Sequence, residues 1–241
     1  MERVKTGIPG LDSMLYGGIP EGNQTIVAGG PGAGKTLLSF EFLYKNAKAG
    51  HPGIFFALEE NPEDILRNVK SAFTTFTDID DLVKKSMLTI NGDIAAKLSE
   101  GNAESQTYEF GKIVSDIEAE VSAVKAERVV IDSLSLFNIL VTDPLIYRRS
   151  TVALISNLRR IGVTSLLTAE IQNPERKGMR FKPEFFIYDG IISMYLSGEE
   201  DKRTTSLEII KMRGSKHSFA TAPYEINPDG FKIFSAEEIQ Y

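Results

Sequence analysis

Short apolar runs alternate with longer stretches of helical spacing through the first two thirds of the chain. Gln24-Thr25-Ile26-Val27-Ala28 is a β-rich run, and Leu37, Leu38, Phe40, Phe42, Leu43 and Tyr44 continue it as a mostly apolar helical segment. Gly53-Ile54-Phe55-Phe56-Ala57-Leu58 reads as a buried strand, Pro62 to Phe73 as a helix, and Tyr108 to Lys125 as another helix. Arg128-Val129-Val130-Ile131-Asp132 is the next buried strand, Leu145 to Ile161 a helix, and Thr164 to Glu170 a strand with polar residues at its end. Such alternation predicts an α/β fold, a mostly parallel sheet with helices on both faces. The last third changes character. Gly190 to Leu196, Thr205 to Lys211, Tyr224 to Ile226 and Phe231 to Phe234 are short β runs broken by Gly198-Glu199-Glu200-Asp201 and Asn227-Pro228-Asp229-Gly230. These are strong turn sequences, and the pattern predicts a C-terminal antiparallel extension of the same sheet. Residues 91 to 107 are polar and contain Gly92 and Gly101, which predicts a mobile excursion.

Composition narrows the picture. A chain of 241 residues, 42% hydrophobic, fits one large α/β domain over residues 1–241. No run approaches the roughly 18 apolar residues of a membrane helix, so no membrane association is expected. Met1-Glu2-Arg3-Val4-Lys5-Thr6 lacks the apolar core of a signal peptide, which predicts a cytoplasmic protein. Cysteine is absent, which excludes disulfides, thiolate catalysis and Cys-type metal sites. The two histidines, His51 and His217, are too few and too far apart in sequence for a zinc site. A net charge of −6 argues against general nucleic-acid binding but leaves room for a local basic loop.

The chemistry concentrates at Gly29-Gly30-Pro31-Gly32-Ala33-Gly34-Lys35-Thr36, a complete G-x-x-x-x-G-K-[ST] sequence between a predicted strand and helix. Clustered phosphate charge must be cradled without bulky side chains, so glycines let backbone N–H groups converge on it. Gly30, Pro31, Gly32, Ala33, Gly34, Lys35, Thr36 and Leu37 form the predicted cradle, with Lys35 reaching the β and γ oxygens and also serving catalysis. Thr36 is expected to hold Mg²⁺. Asp132 closes an apolar strand, where a carboxylate can organise the water shell of that ion. Glu59 and Glu60 directly follow the second strand, where ligands of open α/β sheets collect, so one of them could polarise an attacking water. The same pair would also suit a solvated turn before Pro62.

Two basic clusters remain. Lys211 and Arg213 are two apart on a predicted strand and so share a face. They could stabilise a transferred phosphoryl group, or simply form a charged edge strand. Ile171 to Phe186 holds Arg176, Lys177, Arg180 and Lys182 interleaved with Phe181, a mix suited to single-stranded nucleic acid, although Glu175 and Glu184 dilute its charge.

Taken together the blocks resemble the RecA-like P-loop ATPases of the KaiC type, related to the archaeal RadA recombinases. The likeness runs from Thr6-Gly7-Ile8-Pro9-Gly10-Leu11-Asp12 and Gly17-Gly18-Ile19-Pro20-Glu21-Gly22 through the phosphate loop, Glu59-Glu60 and Val130-Ile131-Asp132-Ser133 to Lys211-Met212-Arg213-Gly214-Ser215. The resemblance implies ATP as the nucleotide and the paired glutamates as the source of the base. It also implies that Lys211 and Arg213 reach the nucleotide of a neighbouring subunit in a homohexameric ring. The expected activity is a Mg²⁺-dependent ATPase acting as an oligomeric switch. The alternatives are a recombinase-like DNA-binding ATPase and a non-hydrolysing nucleotide sensor, the latter disfavoured by the intact glutamate pair. Three departures qualify the likeness. The circadian-clock member carries two such domains and this chain one. Self-phosphorylating members have hydroxyl residues where this chain has Phe185-Phe186, which argues against autokinase activity at that place. Recombinases usually add an N-terminal DNA-binding domain, whereas only about twenty residues precede the first predicted strand here.

Overall fold

The computed structural model describes residues 2–94, 106–141, 143–171, 183–198 and 204–234. A two-stranded ribbon of β1 (Arg3–Val4) and β2 (Ile19–Pro20) encloses α1 (Pro9–Met14) at the start of the chain. The core follows as β3 (Gln24–Gly29), α2 (Lys35–Lys48), β4 (Gly53–Ala57), α3 (Pro62–Ala72), α4 (Ile79–Lys84) and β5 (Leu88–Asn91). It continues with α5 (Gln106–Ala123), β6 (Arg128–Asp132), α6 (Ser135–Leu140), α7 (Pro144–Arg160) and β7 (Thr164–Glu170). A single 3₁₀ turn, Pro183–Ile187, leads to β8 (Gly190–Ser197), β9 (Thr204–Met212), β10 (Ala222–Asn227) and β11 (Gly230–Ile233).

Among the described residues, nine strands form one sheet in the order β11-β10-β9-β8-β3-β7-β6-β4-β5. Strands β8, β3, β7, β6, β4 and β5 run parallel to their neighbours within that block. Parallel strands are covered on both faces, and the residues of each strand part alternately between two cores. Val27, Phe55, Val130, Leu166 and Ile192 face α1 to α4, while Ile26, Phe56, Ile131, Leu167 and Ile191 face α5 to α7. The burial is complete at Phe55 and Phe56, and truncating either to alanine would cost about 3–5 kcal/mol.

The sequence pattern places the strands of this sheet other than β5, with one correction at β8. Gly190–Ser197 runs parallel to β3 as well as antiparallel to β9, so the antiparallel extension begins only at β9. Helix α7 starts where Asp143 accepts hydrogen bonds from the N–H groups of Leu145 and Ile146 at 2.8 and 3.0 Å, a side-chain N-cap followed by proline. Periodicity misses α1, α4, α6, β5 and the β1–β2 ribbon, each six residues or fewer and too short for a repeat. Of the expected polar excursion, Asn91 ends β5, and residues 95–105 lie outside the described residues. No helix among the described residues is long and apolar enough to cross a membrane.

The order of strands fixes where a ligand can sit. From β3 the chain crosses to β4, two strands beyond its neighbour β7, and it later returns to the other side of β3 as β8. Connections therefore diverge beside β3, and the crevice at the carboxyl ends of β3, β7, β6 and β4 opens there.

Candidate functional site

The phosphate loop spans the gap between Gly29 at the end of β3 and Lys35 at the start of α2. Gly32 and Gly34 have φ of +77° and +84°, left-handed conformations that a side chain would strain, which is the local reason for glycine at both positions. Lys35 is 9% exposed, and its ammonium donates back to the carbonyl of Gly30 at 3.0 Å. Burial pushes the Lys35 ammonium below its ordinary range, while the carboxylates of Glu170, Asp132 and Glu59 pull it back up.

Asp132 stands across the crevice at the end of β6. It accepts a hydrogen bond from Thr36 Oγ1 at 2.7 Å through one oxygen and another from Thr168 Oγ1 through the other. The next peptide, Asp132–Ser133, is cis. Ser133 donates to Glu59 Oε1 at 2.6 Å and accepts from the N–H of Ser135 at 3.1 Å. Glu59 is therefore held by Ser133, whereas Glu60 accepts from Asn68 Nδ2 of α3 at 3.3 Å. Neighbouring residues after a strand diverge in this way because successive side chains alternate in direction.

Pro31, Gly32, Gly34, Lys35, Thr36, Leu37, Glu59, Glu60, Asp132, Ser133, Glu170 and Ile226 line one pocket of about 350 Å³. Gly30 and Ala33 belong to the same loop and supply its turn, with Ala33 N–H donating to Gly30 O at 3.3 Å. Larger hollows of about 490 and 700 Å³ lie elsewhere, beside Arg128 and between α1 and the β10–β11 turn, but neither has a phosphate loop. Among the described residues no group of three His, Cys, Asp or Glu side chains is placed to hold a metal. The Thr36–Asp132 pair nevertheless suits Mg²⁺, which takes one or two protein oxygens and completes its shell with phosphate and water.

Lys211 and Arg213 are not part of this pocket. Lys211 pairs with Ile191 and Met212 with Gly190, which stands beside Thr25 near the start of β3, whereas Gly29 stands beside Met194. At about 3.3 Å per residue Thr25 and Gly29 are some 13 Å apart along β3, and the two basic residues stand at the Thr25 end, away from the phosphate loop of their own chain. There they grip the 3₁₀ turn. Lys211 Nζ donates to the carbonyls of Tyr188 at 2.6 Å and Phe186 at 3.1 Å, and Arg213 Nη2 donates to Phe186 O at 2.9 Å. Burial and the nearby Arg213 push Lys211 below its ordinary range. Phe185 is buried and Phe186 is 60% exposed, so no hydroxyl stands at these two places. Arg176, Lys177, Arg180, Phe181 and Lys182, the candidate nucleic-acid segment, lie outside the described residues.

Sequence reasoning missed Glu170, Thr168, Ser133, Ile226 and Tyr224 as parts of the site. Glu170 was within reach, since it ends an apolar strand as Asp132 does. Ile226 and Tyr224 carry no local signal, and only the folding of the C-terminal hairpin onto α2 brings them in.

A phosphate loop on the first strand of the core, an acidic residue at the end of β6, one strand removed from it across β7, and this strand order define a P-loop ATPase with a RecA-like core. The family model described as the ATPase KaiC matches residues 4–238, and the chain belongs to that family. It is 32% identical to a UPF0273 protein of Aeropyrum pernix, over 97% of this chain and 94% of that one. It is also 32% identical to the circadian clock oscillator protein KaiC 1 of Synechocystis, over 97% of this chain but 44% of that longer protein. The crystal structure of a KaiC-like protein from Pyrococcus horikoshii superposes with a TM-score of 0.81 at 31% identity, covering 97% of this chain and 99% of the other.

Proposed function

We propose that this chain is a Mg²⁺-dependent ATP hydrolase that works as a ring, with each nucleotide held between two subunits. The observation that carries the reading is the placement of Lys211 and Arg213. They sit at the opposite end of β3 from their own phosphate loop, so they serve a nucleotide only if that nucleotide belongs to a neighbour. The loop amides and Lys35 bind the triphosphate, and Thr36 with Asp132 holds the metal side. Bound Mg²⁺ would neutralise charge on the β and γ phosphate oxygens. Glu59, oriented by Ser133, takes the proton of the attacking water. Lys211 and Arg213 of the adjacent subunit meet the charge that develops on the transferred phosphoryl group. Ring conformation is the output of turnover. The DNA-binding alternative depends on the segment Ile171 to Phe186, whose Arg176, Lys177, Arg180, Phe181 and Lys182 lie outside the described residues, and gains no support from the described ones.

Mixing two inactive variants tests the shared site. Subunits carrying Lys211→Ala and Arg213→Ala should bind ATP but release phosphate poorly, and so should subunits carrying Glu59→Gln and Glu60→Gln. After subunit exchange verified by mass spectrometry, some interfaces join an intact glutamate pair to an intact basic pair, and turnover should return in part. Verified exchange with no return of activity would refute the in-trans role.

A further inference from the structure

The β10–β11 hairpin touches the phosphate loop and its helix at three places. Tyr224, 2% exposed, donates its hydroxyl to the carbonyl of Ala33 at 2.6 Å. The N–H of Phe231 donates to Glu41 Oε2 at 2.8 Å, and Glu41, on α2, is 1% exposed. Ile226 and Phe231 fill the space beside Gly34, where a Cβ would come within 2.8 and 3.2 Å of them. Ile226 also lines the pocket.

Each contact bears on how the loop presents its donors. A planar trans peptide points its C=O and N–H in opposite directions, so the bond that fixes Ala33 O on Tyr224 also fixes the aim of the Gly34 N–H. Gly34 is the residue that opens α2 and one of the residues facing the pocket. A free glycine-rich loop would sample many conformations, and ordering it on binding would reduce affinity. The hairpin is also well placed to act as a separate piece. Strand β10 pairs with β9 along the ladder only through Ala222 and Pro223, the Thr205 hydroxyl of β9 donates to the carbonyl of Tyr224, and beyond that point the hairpin rests on α1, α2 and the loop. Its turn reaches further, since Pro228 O accepts from both the N–H and the hydroxyl of Thr75, at 3.2 and 3.0 Å, just after α3. A buried carboxylate on α2 is costly to keep for packing alone, and here its oxygen satisfies a backbone N–H of the hairpin.

We infer that the β10–β11 hairpin is a latch that presets the phosphate loop for nucleotide, with Tyr224 and Glu41 as the positioning residues through which it acts. The inference rests on the loop being the triphosphate site. Neither residue touches the ligand, and both act through the backbone that does.

Amide hydrogen exchange at residues 30–36 of the full chain without nucleotide reads the latch directly, and calorimetric ATP affinity reads its consequence. Tyr224→Phe removes one oxygen. Exchange in the loop should rise about tenfold while β3, β6 and β7 keep the protection of the parent, and ATP affinity should fall severalfold in parallel. Glu41→Ala should do the same, and Glu41→Gln, which keeps an acceptor for the Phe231 N–H, should restore parental exchange and affinity. Unchanged loop exchange in Tyr224→Phe, or a rise spread equally over the strands, would overturn the latch. Glu41→Gln behaving like Glu41→Ala would remove Glu41 from it. If the parent binds no ATP, the reading of the site fails, while the exchange measurement still decides the latch.

Discussion

Glu59 and Glu60 are adjacent in the chain but end in different surroundings. Ser133 holds Glu59 over the crevice at 2.6 Å, and Asn68 holds Glu60 against α3. The sequence could not choose between them, because both follow the same strand and both suit the chemistry. The geometry favours Glu59. Glu59→Gln should therefore lower phosphate release by about a hundredfold or more with ATP affinity nearly unchanged, the scale of a lost general base, whereas Glu60→Gln should keep most of the activity. Equal losses in the two single variants would refute that division. Glu41 makes a second prediction at this scale. Burial pushes its carboxyl from the ordinary 4.5 up to about 7, against the opposing pull of the Phe231 N–H and Lys45. Between those two values the folded protein binds more protons than the unfolded chain, so this group contributes less stability as pH rises from about 4.5 through about 7. The melting temperature of the parent should fall between pH 5 and pH 8 by more than that of Glu41→Gln. Parallel curves for the two proteins would count against a titrating Glu41.

At the scale of elements, Asp189 ties together four segments. Its carboxylate accepts from the N–H of Gln24 at the start of β3 at 3.0 Å, and from Arg159 of α7 at 3.1 and 2.8 Å. Arg213, just past β9, lies 3.6 Å away, and Asp189 itself precedes β8. This knot sets the height of β8 and β9 against β3 and so the place where Lys211 and Arg213 emerge. Asp189 is 8% exposed, and Asp189→Ala should lower unfolding free energy in urea by about 3 kcal/mol, since it strands a buried N–H and leaves Arg159 with the Ile187 carbonyl but no carboxylate. A loss within experimental error would show that water replaces the carboxylate without penalty. The longer elements were legible from periodicity alone, because α2, α3, α5 and α7 each repeat their apolar positions for eleven residues or more. The parallel direction of β8 was not legible. A run such as Gly190-Ile191-Ile192-Ser193-Met194 reads the same in either direction, and its partner β3 lies more than 160 residues earlier.

For the whole molecule, the two halves of the proposed reaction site lie at opposite ends of one sheet. Under the proposed in-trans arrangement a single subunit is incomplete, and nucleotide shared by two subunits should favour assembly, since a ligand that contacts both stabilises their association. Sedimentation velocity should show a larger species with Mg²⁺-ATP than without it, and Lys211→Ala with Arg213→Ala should weaken that shift. A sedimentation coefficient indifferent to Mg²⁺-ATP in the parent would count against nucleotide-linked assembly.

The sequence by itself determined the phosphate loop, the acidic ends of the strands, the alternation of strands and helices, and membership in a nucleotide-binding class. Each is a local property, because a run of glycines before a lysine, or an apolar repeat, fixes its conformation over a few residues. Tertiary structure decided which partner each glutamate takes, that Lys211 and Arg213 emerge at the end of β3 away from their own loop, and that Tyr224 closes on Ala33. Those outcomes depend on strand register and on contacts between residues up to 191 positions apart, and no local pattern in the chain encodes them.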